Sequence, residues 1–280
     1  MRRNALILVA SALVLAACSH EKSDEHASHT TSSQPPPAAT TAATATAAAA
    51  AEAGQPVRFG DASGYLAAPA TTGKKPGLIV IHEWWGLDNW IREQTDRFAS
   101  QGYVAVAPDL YRGKVAKTPE EAHELMRGLP EDRAMADMKA AFDYLASRPD
   151  VDPRYIGVIG WCMGGGYALS LELNEPRLAA TAVNYGRLVT DFDTITKISS
   201  PLLGNFGGAD RGIPPEDVKA FEANLTKAGK LGDVRIYEGA GHAFMNPNNK
   251  EGYNAEAAAD AWKRIDSFFD RTLRAKIPNS

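Results

Sequence analysis

The sequence predicts an α/β fold: a doubly wound, mostly parallel sheet with helices on both faces. Three observations carry this. Short apolar runs, such as Leu78-Ile79-Val80-Ile81 and Tyr103-Val104-Ala105-Val106-Ala107, alternate along the chain with longer amphipathic segments. Runs that are apolar at every position, with no polar alternation, match strands buried on both faces. Finally, Gly160-Trp161-Cys162-Met163-Gly164-Gly165-Gly166 follows one such run and leads into a helical one, which reads as strand, tight turn, helix.

Not all 280 residues belong to that fold. Met1-Arg2-Arg3-Asn4 is a basic start, and the apolar stretch from Ala5 to Ala17 is too short to span a bilayer as a helix. It ends in Leu15-Ala16-Ala17-Cys18, which resembles the lipobox of a bacterial lipoprotein signal. That resemblance implies a signal peptide over 1–17, lipid on Cys18, and a lipid-anchored place in the bacterial cell envelope. Ser19, rather than Asp, leans toward the outer membrane. Residues 18–55 are rich in Ser, Thr, Ala and Pro, bury almost nothing, and read as a disordered tether. His20, His26 and His29 on it read as solvated rather than metal-binding. Residues 56–280 are enough for one domain with a full core. The formal net charge of −4 gives no nucleic-acid footprint. A monomer is expected, with no cofactor and no metal.

Within the domain, Val57-Arg58-Phe59 and Gly64 to Pro69 read as an opening hairpin or edge pair. Leu78–Ile81 is a buried strand that ends in His82-Glu83-Trp84-Trp85-Gly86. From Asn89 a helix puts Ile91, Thr95, Phe98 and Ala99 on one face, and Gly102 stops it. Tyr103–Ala107 is a strand closed by Pro108-Asp109-Leu110-Tyr111. Thr118, Pro119 and Glu121 mark a helix start that runs to Gly128. Glu131 to Ser147 is a second helix, with Ala134, Met138, Phe142 and Leu145 as its stripe. Pro149 and Pro153 mark a loop into the strand Tyr155–Ile159. Further strands are expected at Leu178–Val183, Pro201–Phe206 and Val234–Tyr237. Helices are expected at Pro214–Ala228 and Ala255–Leu273, the last with Ala258, Trp262, Ile265, Phe268 and Phe269 inward.

The G-x-C-x-G pattern is a nucleophile elbow with Cys in place of Ser. Its glycines let a strained turn lift the sulfur above the sheet at a helix N-terminus. With Cys18 assigned to lipid, Cys162 is the one remaining cysteine of an exported chain and cannot form an internal disulfide. A cysteine hydrolase needs a base, and a group to orient that base. His123 lies mid-helix among charged residues, where solvent exposure is expected. His82 and His242 both follow strands, and His242 is the better base, on a glycine-flanked loop after the last strand. Asp210 follows the preceding strand. Nucleophile, acid, histidine is the chain order of the α/β-hydrolase fold.

Taken together, His82-Glu83-Trp84-Trp85-Gly86, Ala107-Pro108-Asp109-Leu110-Tyr111, Gly160-Trp161-Cys162-Met163-Gly164-Gly165, Gly208-Ala209-Asp210 and Gly241-His242-Ala243-Phe244 resemble the dienelactone hydrolase (carboxymethylenebutenolidase-like) family, in the family's order. The resemblance implies a Cys162/Asp210/His242 triad and hydrolysis of small esters or lactones through a thioester. It also implies that Glu83 contacts the resting thiol, and that the backbone N–H groups of Met163 and Trp84 form an oxyanion hole. Lactone-specific members carry an Arg four residues after the catalytic His. Asn246 stands there in this chain, and Arg112 is the candidate cation to replace it. Trp84, Trp85 and Trp161 suggest an apolar, aromatic-walled pocket, with core packing an equal alternative for Trp161. The competing reading is a thiol-based redox or electrophile-scavenging envelope protein, although the chain offers no second Cys in the domain to resolve an oxidised thiol.

Overall fold

The computed structural model describes residues 54–278. The signal peptide, Cys18 and nearly all of the tether lie outside the described residues.

Eight strands form one sheet in the order β1-β2-β4-β3-β5-β6-β7-β8. They are β1 (Gln55–Phe59), β2 (Ala62–Ala67), β3 (Lys75–Ile81), β4 (Val104–Pro108), β5 (Val151–Trp161), β6 (Ala180–Asn184), β7 (Leu202–Gly207) and β8 (Gly232–Tyr237). β1 and β2 form a hairpin whose turn passes through Gly60 at φ 62°, and β2 pairs antiparallel with β4. Every other pairing is parallel. Seven helices lie among the described residues: α1 (Asn89–Ser100), α2 (Pro119–Arg127), α3 (Glu131–Ser147), α4 (Met163–Glu172), α5 (Phe192–Ile195), α6 (Pro215–Lys227) and α7 (Ala255–Thr272). The expected doubly wound α/β-hydrolase architecture is therefore present.

Strand periodicity sorts the core into two layers. On β3, Leu78 and Val80 join the layer covered by α1 and α7, where Ile91, Phe98, Ala258, Ile265 and Phe269 pack. Ile79 and Ile81 point to the opposite layer, against Met138, Phe142 and Leu145 of α3 and Ala168 and Leu171 of α4. A third cluster unites Val183, Leu202 and Phe206 with Val218, Phe221 and Leu225 of α6.

The helix starts follow local chemistry. The Asp88 side chain accepts from the N–H of Ile91 at 3.0 Å and caps α1. Thr118 caps α2 through the N–H of Glu121, and the Glu121 carboxylate reaches back to the N–H of Lys117 at 2.7 Å.

Two expectations are corrected. β5 starts at Val151, so Pro153 belongs to the strand and not to a preceding loop. It is tolerated because the pairing with β3 shifts register between Lys75 and Gly77, which leaves no ladder bond for a proline to break. The single-turn helix α5 was not expected, because four residues carry no readable periodicity. Asp191 starts it by accepting from the N–H of Thr194 at 2.8 Å.

Candidate active site

β5 ends at Trp161 and α4 begins at Met163, so Cys162 alone makes the turn, at φ 53° and ψ −121°. The turn is this tight because its neighbours are glycines. A Cβ on Gly160 would overlap the carbonyl of Gly164, and one on Gly164 would overlap the carbonyls of Ile81 and His82. The Cys162 N–H donates to the Asn184 carbonyl of β6 at 3.0 Å, and its own carbonyl accepts from Gly165 and Gly166. The thiol thus sits half-buried at the start of a helix whose first N–H groups face it.

Asp210 and His242 reach the same point from the ends of β7 and β8. The Cys162 Sγ lies 3.1 Å from His242 Nε2. Nδ1 of the same ring lies 2.7 Å from Asp210 Oδ2. The other oxygen, Asp210 Oδ1, accepts from the N–H groups of Gly212 at 2.8 Å and Ile213 at 3.1 Å. The Asp210 side chain is fully buried, while that of His242 is 40% exposed.

Burial alone would raise the Asp210 carboxyl. The hydrogen bond and charge of His242, with the two backbone N–H groups, instead hold it below the usual range. Burial likewise opposes charge on His242, yet the hydrogen bonds to Asp210 and Cys162 raise its pKa to about 10. At neutral pH the ring is an imidazolium that donates from both nitrogens.

Glu83 lies sealed beneath these groups, 2% exposed. Its Oε2 accepts from Asn246 Nδ2 at 2.6 Å, and its Oε1 from the Tyr185 hydroxyl at 3.4 Å. Burial, aided by Asp88, raises its pKa to about 7 against the pull of Asn246, His242 and Tyr185. The expected contact between Glu83 and the resting thiol is absent here. The hydrogen-bond partner of the thiol among the described residues is His242, and the carboxyl of Glu83 is occupied by Asn246 and Tyr185.

Asn246 is accordingly not a substrate-pocket residue. It is buried and turned toward Glu83, and its Oδ1 accepts from the N–H of Asn248 at 2.9 Å. Arg112 does not bring a free charge to the site either. Its guanidinium is paired with Asp137 of α3 at 2.6 Å and also donates to the Asp61 carbonyl. Trp161 is core and not pocket wall. It is fully buried between Trp90 and Trp262, with ring centroids 5.3 and 5.6 Å away. Trp161 shares strand parity with Ile159, which commits it to the α1/α7 layer.

Trp84 and Trp85 are half-buried and meet edge-on at 5.1 Å. The N–H groups of Trp84 and Met163 donate to no other described residue. His123 is exposed as expected, but it also packs perpendicular to Trp84 at 4.8 Å. His82 is buried, its Nδ1 2.6 Å from the Glu83 carbonyl and its ring against Tyr111. It makes no contact with Cys162 that would let it act as the base. Among the described residues no group of three or more His, Cys, Asp and Glu side chains is arranged to hold a metal ion.

One site residue was missed from sequence. Tyr185, directly after β6, is fully buried, reaches Glu83 through its hydroxyl, and packs its ring 5.4 Å from that of His242. Four non-glycine residues among those described have positive φ, and three of them, Cys162, Tyr185 and Ala243, surround this site. Each such conformation costs roughly 1–3 kcal/mol and persists where the surroundings over-determine it.

Relatives of the chain identify its family and share its fold. The family described as "Dienelactone hydrolase family" matches residues 62–273. "Putative carboxymethylenebutenolidase" of Synechocystis is 35% identical over 229 residues, covering 76% of this chain and 92% of its own. "Protein usf" of Aquifex pyrophilus is 35% identical over 218 residues, covering 75% and 93%. Among solved structures, a "Putative Dienelactone Hydrolase" from Klebsiella pneumoniae superposes with a TM-score of 0.71 at 27% identity, covering 78% of this chain and 98% of its own. An esterase from Thermogutta terrifontis, 20% identical with a TM-score of 0.61 over 82% of this chain and 95% of its own, shares the fold. The matched span runs from β2 to the end of α7 and contains the elbow with all its partners; the chain is a hydrolase and belongs to the dienelactone hydrolase family.

Proposed function

We propose that this hydrolase cleaves small esters or lactones with Cys162 as nucleophile. The observation that carries the reading is the unbroken hydrogen-bonded line from Cys162 Sγ through both His242 nitrogens to Asp210.

In this reading the Cys162 proton resides on His242 and the sulfur attacks as thiolate. A new S–C bond forms, and the carbonyl oxygen becomes an oxyanion that receives the N–H groups of Met163 and Trp84. Each such donor contributes about 3 kcal/mol in comparable sites. As the tetrahedral adduct collapses, the C–O bond breaks and the leaving alkoxide takes the His242 proton, leaving a thioester. His242, now neutral, takes a proton from water, whose oxygen attacks the thioester carbonyl. Collapse releases the acid and restores the thiolate and the imidazolium. Asp210 holds the ring and its tautomer throughout. Trp84 and Trp85 offer an apolar wall for the acyl group.

The test is hydrolysis of short p-nitrophenyl esters and of lactones by purified protein, with Cys162→Ala and His242→Ala alongside. Both substitutions should remove at least a thousandfold of kcat. Wild-type rates equal to those of Cys162→Ala on every ester and lactone would overturn the reading.

We also infer that residues 1–17 are a signal peptide, that Cys18 carries lipid, and that residues 18–55 tether the domain of residues 56–280 to the envelope, as a monomer. Support comes from the small-small-Cys ending of the apolar stretch and from the low-complexity composition that follows. Intact mass and detergent partitioning of the mature chain test this. A water-soluble chain without lipid at Cys18 would refute the anchor.

A further inference from the structure

The charges around Cys162 are unevenly balanced. Asp210 is buried and ionised, and its charge is matched by the imidazolium of His242. Glu83 is as deeply buried, yet both groups that hold its carboxyl are neutral: the Asn246 amide and the Tyr185 hydroxyl. The amide orientation is fixed from behind. Asn246 Oδ1 is occupied by the N–H of Asn248, so the NH2 end must face Glu83.

The arginines do not redress this. Arg112 is spent on Asp137, and Arg187 and Arg211 are exposed on the loops after β6 and β7. Asp88, the cap of α1, adds negative potential at Glu83. His242 is therefore the one side-chain cation hydrogen-bonded into this cluster among the described residues, and Cys162 Sγ and Asp210 already claim it. A substrate bringing its own carboxylate would place a further negative charge above a buried carboxyl that has no counter-ion, in a region where charges are weakly screened.

We propose that Glu83, held in place by Asn246 and Tyr185, is a specificity-determining group that turns away substrates carrying a carboxylate beside the scissile carbonyl, so that the enzyme acts on uncharged esters and lactones. The proposal rests on Cys162 being the nucleophile. Glu83 acts through its field and has no bond to the substrate.

The test compares two esters of one skeleton, mono-p-nitrophenyl succinate and its methyl ester, at pH 8, with spontaneous release subtracted from each; for the succinate this includes attack by its own carboxylate to give the cyclic anhydride. For the full-length wild-type enzyme, kcat/KM for the charged ester should be at least tenfold below that of the neutral one. Glu83→Gln, which keeps the carboxamide shape and removes the charge, should narrow the ratio to threefold or less. A wild-type measurement needs no variant to fold: lowering pH from 8 to 6, which protonates Glu83 while the substrate carboxylate stays ionised, should improve the charged ester selectively. A charged ester hydrolysed as well as the neutral one, or a ratio insensitive to both pH and Glu83→Gln, overturns the specificity proposal and leaves the nucleophile intact. Wild-type rates no higher than those of Cys162→Ala on either ester overturn the nucleophile, and the specificity proposal with it.

Discussion

At the scale of single residues, the pair most open to test is Glu83 and His242, because burial pushes the pKa of Glu83 up and hydrogen bonding to Asp210 and Cys162 pushes up that of His242. Glu83 rises from 4.5 to about 7 on folding, chiefly through desolvation. A group whose folded pKa is raised binds its proton more tightly when folded. Its stabilising contribution is complete below pH 4.5 and disappears as pH rises through about 7. The difference corresponds to about 3 kcal/mol. Glu83→Gln should therefore gain stability relative to wild type between pH 5 and pH 8, as read by thermal melts across that range. A constant difference would refute the burial cost assigned to Glu83. His242 has the same sign at higher pH, with its contribution lost as pH rises through about 10. Much of this residue-level picture was legible in the sequence. Cys162, Asp210 and His242 each follow a strand and carry side chains with recognisable chemistry. Tyr185 was not legible, because a tyrosine after a strand has no signature of its own. The clamp of Asn246 on Glu83 joins residues 163 positions apart, and only folding reveals such a pair.

At the scale of elements, the elbow depends on close backbone approach more than on side-chain packing. The first turn of α4 rests on the end of β3, where Gly164 faces the carbonyls of Ile81 and His82. Gly164→Ala must push strand and helix apart. We expect a loss of at least about 3 kcal/mol, at the upper end of overpacking costs, measured by urea unfolding. Loss below 1 kcal/mol would mean the contact is soft. The cap of α1 is an ordinary one, and Asp88→Ala should cost about 1 kcal/mol. The strands were legible because continuous apolar runs mark burial on both faces, and the long helices because their stripes repeat. Pro153 misled the reading. A proline normally argues against a strand interior, and the register shift that admits it into β5 is a property of the pairing with β3.

At the scale of the whole molecule, all eight strands and all seven α-helices described lie between residues 55 and 272, and a single 3-10 turn follows at Arg274–Lys276. A chain begun at Gly54 should keep the hydrolase activity of the full-length protein within twofold and its Tm within about 2 °C; a larger loss would give the preceding segment a structural duty. Three neighbouring tryptophans, two buried and one half-buried, have a use of their own. Trp90, Trp161 and Trp262 come from α1, β5 and α7, with the Trp161 ring edge-on to Trp90 and tilted against Trp262. Indoles so close couple their electronic transitions, and the group forms only when three segments far apart in sequence have met. The protein therefore contains an intrinsic chromophore for closure of its fold. The part of the exciton signal in circular dichroism that Trp161→Phe removes, leaving that of the Trp84–Trp85 pair, would time the arrival of α7 on the sheet during refolding, with no label attached.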